Sequence, residues 1–88
     1  MPKRTDANQP EIVAALRQVG AMVVDLHTVG RGCPDLLVMW RSKTYLMEVK
    51  TATGKLNAAE WKFAFQAFNQ GVKVPVVRSP EDALGVLG

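Results

Sequence analysis

Asp35, Glu48 and Lys50 are the residues of this chain whose types and spacing could do chemistry together. They lie in GCPDLLVMWRSKTYLMEVK, residues 32–50. Glu48 and Lys50 are two apart in KTYLMEVK, residues 43–50, a stretch that reads as a strand, so their side chains share a face. Asp35 opens DLLVMW, residues 35–40, a near-continuous apolar run of the kind found in a covered strand. RSK, residues 41–43, is a polar turn, and so short a connection predicts an antiparallel hairpin. Pairing in that hairpin brings Asp35, Glu48 and Lys50 together at the end away from the turn. Carboxylates at the end of an apolar hairpin are costly to bury unless they are paired or hold a cation. Lys50 is one natural partner, and a plain salt bridge between neighbouring strands is a common arrangement. A hard divalent cation such as Mg²⁺ or Mn²⁺, which prefers carboxylate and water oxygens, is another. Spacing alone leaves both open.

The elements that must position this group follow from local signals. Residues 1–9 are polar and are expected to be flexible. Pro10 opens a helix whose apolar positions are Ile12, Val13, Leu16 and Val19, with Glu11 in its first turn and Gly20 at its end. AMVVDLHT, residues 21–28, reads as a strand, and VGRGCPD, residues 29–35, as a glycine- and proline-marked loop. After the hairpin and the loop TATGK, residues 51–55, Asn57 caps a second helix, with Glu60 three residues on as in a capping box. Trp61, Ala64, Phe65 and Phe68 form the main apolar stripe of this helix, and Gly71 stops it. Phe63 falls on the opposite side beside Ala59 and Ala67, a second apolar face to be covered by the terminal helix or by a second copy of the chain. VKVPVV, residues 72–77, is a strand for which Pro75 argues either an edge position or a free amide at that point. Ser79-Pro80 starts a short last helix. The order is α-β-β-β-α-β-α, an α/β fold, and residues 1–88 read as one domain with no internal repeat.

Composition narrows the classes. The chain has 88 residues, with 48% hydrophobic and 22% charged, values of an ordinary small globular domain and not of a disordered or collagen-like chain. No apolar run approaches the ~20 residues that span a bilayer, and MPKRTDANQPE lacks the apolar core of a secretory signal. We therefore expect no membrane association and a cytoplasmic setting. One cysteine, Cys33, and one histidine, His27, exclude a disulfide framework and a cysteine or histidine metal cluster. Any metal must be held mainly by oxygen. A net charge of +3 leans mildly toward anionic partners.

An acidic residue after proline, followed by E-x-K on the second arm of a hairpin, resembles the PD-(D/E)xK nuclease superfamily: here Pro34-Asp35 and Glu48-Val49-Lys50. The closer resemblance is to the virus-type replication-repair nuclease family, VRR-NUC. It rests on Gly30-Arg31-Gly32-Cys33-Pro34-Asp35, Glu48-Val49-Lys50, Lys55-Leu56-Asn57 and Gly71 before Val72, and spans roughly residues 10–79. It implies a restriction-endonuclease-like core, with a small mixed sheet flanked by helices. The activity it implies is metal-dependent endonucleolytic hydrolysis of DNA. Asp35 and Glu48 resemble the family's Mg²⁺ or Mn²⁺ ligands, together with the Val49 carbonyl and waters. Glu11 resembles the acidic residue of its first helix, which completes or supports the metal site. Lys50 resembles its catalytic lysine, which orients the attacking water or stabilises charge on the phosphate. The family usually carries glutamine near the start of the second helix, where this chain has Glu60. An ionised glutamate accepts hydrogen bonds and donates none, so Glu60 is read as the cap of that helix and, alternatively, as one more carboxylate beside the metal.

Among the basic residues, Arg31 and Lys55 leave the catalytic end on loops and are the candidate phosphate contacts. Stand-alone minimal members of the family resemble junction resolvases, which need two active sites for paired cuts. The expectation is a structure-selective enzyme, acting as a homodimer on four-way (Holliday) junctions in repair and recombination, from a phage or a bacterium. The other readings are a non-catalytic DNA-binding module and a nuclease subunit that needs another partner.

Overall fold

The computed structural model describes residues 7–88, and the expectation for residues 1–6 lies outside the described residues. Helix α1 spans Gln9–Gln18, strand β1 Met22–Asp25, β2 Leu36–Trp40, β3 Lys43–Val49, helix α2 Ala58–Asn69, strand β4 Val76–Val77 and helix α3 Pro80–Leu87. This is the expected α-β-β-β-α-β-α order. The four strands form one sheet in the order β1-β2-β3-β4. β1–β2 and β2–β3 are antiparallel and β3–β4 is parallel, so the sheet is mixed.

The hairpin register is set at its turn, where Trp40 pairs with Lys43 around Arg41 and Ser42. Both turn residues have positive φ, 49° and 67°, the backbone that matches the right-handed twist of a tight hairpin. Counting back from the turn, Leu36 pairs with Met47. One step beyond that pair lie Asp35 and Glu48, as the spacing predicts.

α1 and α3 cover one face of the sheet. Ile12, Leu16, Ala83 and Leu87 from the helices are buried against Val23, Leu36, Val38, Met47, Val49 and Val77 from the strands. This single apolar core fixes the hairpin from behind. β1 is shorter than the expected 21–28. Asp25 turns its carboxylate onto the His27 main-chain N–H (2.9 Å), a local bond that competes with strand pairing. β4 is reduced to two residues at the sheet edge. Pro75 has no N–H to give, but its carbonyl accepts from Glu48 N at 2.9 Å.

The helix α2 departs from expectation. Its stripe of Trp61, Phe65 and Phe68 is not in the core: these side chains are 63%, 66% and 64% exposed, whereas Phe63 is half-buried. The stripe borders an open apolar groove of about 940 Å³ with Leu37, Leu46 and Val74. What ties α2 to the domain is its first turn. Gly32 lies so close to the start of α2 that a Cβ there would collide with the Ala59 carbonyl, and its φ of +78° is one that only glycine adopts easily. Gly32→Ala is therefore expected to cost about 2 kcal/mol, read as a melting temperature lower by roughly 10 °C. An unchanged melting temperature would show that this approach is not tight in solution.

Candidate active site

Asp35 and Glu48 are both buried, at 3% and 2% exposure, and Lys50 is half-buried beside them. The main chain explains how each is held. At the end of β3 the amides alternate: Glu48 N donates to the Pro75 carbonyl and Lys50 N to the Val77 carbonyl, both on the β4 side. Val49 N faces the other way, where β2 has ended, and donates to Asp35 Oδ2 at 2.8 Å. The Asp35 side chain thus completes the ladder at the point where main-chain pairing stops. Leu26 N donates to the Asp35 carbonyl at 2.7 Å and fixes the residue from its other side.

Lys50 Nζ lies 4.0 Å from Glu48 Oε1 but only 2.8 and 3.1 Å from the two oxygens of Glu60. Glu60 is the buried residue of α2. It completes the expected capping box: its Oε1 accepts from Asn57 N and its own N donates to Asn57 Oδ1, each at 2.9 Å. The capping reading of Glu60 therefore holds, and to it the geometry adds an ion pair with Lys50.

The sequence reading missed the residues that clamp this end from afar. Asn8 Nδ2 donates to the Lys50 carbonyl and to the Arg78 carbonyl, both at 3.0 Å. Arg78 Nη1 in turn donates to the Thr51 and Gly54 carbonyls, which holds the loop that follows Lys50. Asn8 and Gln9 were expected in a flexible segment; instead Asn8 is part of this clamp and Gln9 is buried. Contacts across such separations carry no local sequence signal. Glu11 is exposed on the first turn of α1, while Gln9 is the buried side chain there and reaches Asp25 Oδ2 at 3.2 Å. Arg31 and Lys55 are exposed on the loops that lead to Asp35 and to Asn57.

Asp25 accepts from His27 through its main-chain N–H and lies 2.7 Å from His27 Nδ1. Burial pushes its carboxyl upward, but the bonds from His27, the His27 charge and the Gln9 amide outweigh that and hold it below the usual aspartate range. A carboxyl depressed in the folded state stabilises the fold above its unfolded pKa, about 3.9, and loses that contribution as pH falls through the folded value. Asp25→Asn should therefore flatten the acid limb of a stability profile taken below about pH 4. An acid limb identical to that of the wild type would show that this carboxylate contributes nothing to it.

The donor set suits a hard divalent cation that keeps its waters. Asp35 and Glu48 offer two carboxylates, with the Val49 carbonyl between Glu48 and Lys50. Among the described residues no group of three or more His, Cys, Asp or Glu side chains could hold a metal ion, so an all-protein cage is not available. Mg²⁺ commonly takes one or two carboxylates and fills its octahedron with water. Asn8 Oδ1 and Gln9 Oε1 are buried acceptors without a hydrogen-bond partner among the described residues, and a water could satisfy either.

A solved chain described as "VRR_NUC domain" has the same fold, with a TM-score of 0.73 at 24% identity over 93% of this chain and 96% of the other. No family model matches the sequence, and no curated protein matches it. The small mixed sheet flanked by helices that the motifs led us to expect is thus a fold shared with this solved domain. Among the described residues no helix is long and apolar enough to cross a membrane.

Proposed function

We propose that this chain is a metal-dependent DNA endonuclease that hydrolyses phosphodiester bonds in branched DNA, with four-way junctions as substrate and a homodimer as the active form. The observation that carries the reading is the convergence of Asp35, Glu48 and Lys50 at one end of a buried hairpin. A plain salt bridge would need one carboxylate. Here Lys50 lies 2.8 Å from Glu60 Oε1 and 4.0 Å from Glu48 Oε1, and Asp35, across the hairpin from Glu48, is buried as well, a concentration of carboxylates beyond what one ion pair needs. The VRR_NUC fold of the neighbour agrees with the assignment.

In this reading Asp35, Glu48 and the Val49 carbonyl hold Mg²⁺ or Mn²⁺. When bound, the cation supplies Lewis-acid stabilisation of the charge that develops on the phosphate. Lys50 places an ammonium against the same phosphate and orients the attacking water. Arg31 and Lys55 meet the DNA backbone on either side, in keeping with the net charge of +3. Glu11, exposed on the first turn of α1, assists only if DNA or metal draws it toward the site.

The homodimer is supported by the stripe on α2, not by the Phe63 side. Three aromatic side chains, each offering ~150–250 Å², stand about two-thirds exposed. With the groove beside them, two copies would bury on the order of 1,000 Å², the lower bound for a specific interface.

The test is cleavage of labelled single-stranded, duplex, flap and four-way substrates with Mg²⁺ or Mn²⁺, alongside sedimentation of the same protein. Symmetric paired cuts in the junction by a dimer are expected. Cuts in flap or single strand alone would keep the chemistry and discard the junction. Metal-independent DNA binding without turnover on any substrate would instead mark a binding module, or a subunit that lacks its partner.

A further inference from the structure

We infer that Arg78 is a positioning residue for the DNA contact of Lys55: its guanidinium meets no phosphate itself but pins the loop of residues 51–55 to the end of β3, so that Lys55 is presented at a fixed place beside Lys50. The inference deepens the nuclease reading above and rests on it for the identity of the ligand. The clamp is a property of the protein alone.

Arg78 reaches from a fixed base. Its main-chain N–H donates to Asp82 Oδ2 in the first turn of α3 at 2.9 Å, and its carbonyl accepts from Asn8 Nδ2 at 3.0 Å. Immediately before it, the Val77 carbonyl accepts from Lys50 N at 3.1 Å. From that base Nη1 donates to the Thr51 and Gly54 carbonyls at 2.6 and 2.7 Å. This nitrogen carries two hydrogens, so the main chain of the loop takes both. The Thr51 carbonyl also accepts from Gly54 N at 3.1 Å, which closes a turn. One cation thus ties the first and last residues of that turn. The turn folds back onto Lys50: a Cβ on Gly54 would lie 3.1 Å from Thr51 Oγ1 and 3.5 Å from Lys50 Cβ. Lys55 is the next residue.

Nothing apolar holds this loop in place, since Thr51, Ala52, Thr53 and Lys55 are all exposed. Polar segments of that kind sit at the low end of local stability unless tied down. Water could satisfy both carbonyls if the guanidinium were removed, so the clamp fixes the place of the loop more than it supports the fold. A lysine on a mobile loop must be ordered when it meets a phosphate. On a clamped loop that ordering is already complete, and binding gains by the difference.

Two measurements test this, the first without DNA. Amide ¹⁵N relaxation should give Ala52, Thr53 and Gly54 order parameters of about 0.85 in the wild type and below about 0.6 in Arg78→Ala. Lys55→Ala should leave them as in the wild type. The second is binding of a labelled four-way junction in EDTA as a function of salt, where no turnover is needed. Each phosphate contact contributes about 0.9 to the slope of log Kobs against log [salt]. Lys55→Ala, Arg78→Ala and the double variant should each lose that one step, with binding weaker by the same roughly 3- to 10-fold. A double variant that loses twice the slope of either single variant makes Arg78 a phosphate contact in its own right and overturns the inference. So does Arg78→Ala with a wild-type slope, or with order parameters unchanged. A wild type that binds no DNA, in EDTA or in Mg²⁺, yet shows the ordered loop and its release in Arg78→Ala, refutes the nuclease reading and with it the role given to Lys55, while the clamp stands.

Discussion

The Asp35→Asn protein is expected to lose metal-dependent cleavage by roughly 10³-fold or more while melting within a few degrees of the wild type. The magnitude follows from the several kcal/mol of charge stabilisation that a correctly held cation supplies, at about 1.4 kcal/mol per factor of ten. The choice of asparagine follows from the second task of this side chain. Asp35 Oδ2 is the acceptor for the buried Val49 N–H at the point where the β2–β3 ladder ends. An amide oxygen can take that hydrogen bond, so Asp35→Asn removes the charge and keeps the fold. Asp35→Ala would leave the amide without this acceptor, a loss of about 1–3 kcal/mol, and would mix catalytic with structural damage. The measurement is the single-turnover cleavage rate on the preferred substrate beside a thermal melt. A folded Asp35→Asn enzyme that cleaves at the wild-type rate would remove Asp35 from the metal site.

The second large effect is expected from charging the α2 stripe. Phe65→Glu combined with Phe68→Glu should convert a dimer to a monomer, seen by sedimentation at tens of micromolar protein. Paired cuts in a four-way junction should fall to single nicks. Both side chains are about two-thirds exposed in the isolated chain, so the substitution takes little from the core, and the monomer should melt no earlier than the wild type. Two carboxylates on each copy would meet their counterparts across a two-fold axis, where like charges oppose association. A wild type that is already monomeric under the same conditions, or a variant that stays dimeric, would assign the stripe to something other than a second copy.

The sequence made the centre of the candidate site, the meeting of Asp35, Glu48 and Lys50, legible because its signals are local. The separation of Asp35 from Glu48 and Lys50 is fixed by one tight hairpin, and a two-residue turn leaves a single register for a half-buried pair of strands. Asn57 and Glu60 announce the start of α2 by their spacing, and the capping box is formed as read. Pro75 pointed to an edge or a free amide, and β4 is the edge. The misreadings have a common origin in contacts that periodicity does not encode. A stripe of Trp61, Phe65 and Phe68 says that one face of a helix is apolar, not which surface it meets. Here α2 is docked by its first turn, at Gly32 and Lys50, and the stripe is left outward. β1 ends at Asp25, with one more ladder bond from Leu26 N to the Asp35 carbonyl before the chain turns at His27, whose N–H the Asp25 carboxylate holds. Asn8 and Arg78 are polar residues near opposite ends of the described chain. Their joint grip on Lys50 and the following loop is visible only once the chain is folded.

That grip also sets the order of assembly. Asn8 bridges carbonyls 42 and 70 positions away in the chain, so the end of the hairpin that carries Lys50 closes only after both of those segments have arrived. A chain emerging from the ribosome holds Asp35, Glu48, Lys50 and Glu60 as soon as α2 is made, but the loop behind Lys50 stays unclamped until Arg78 follows. The loop behind Lys50 thus gains its last hydrogen bonds only when the segment around Arg78 docks against it.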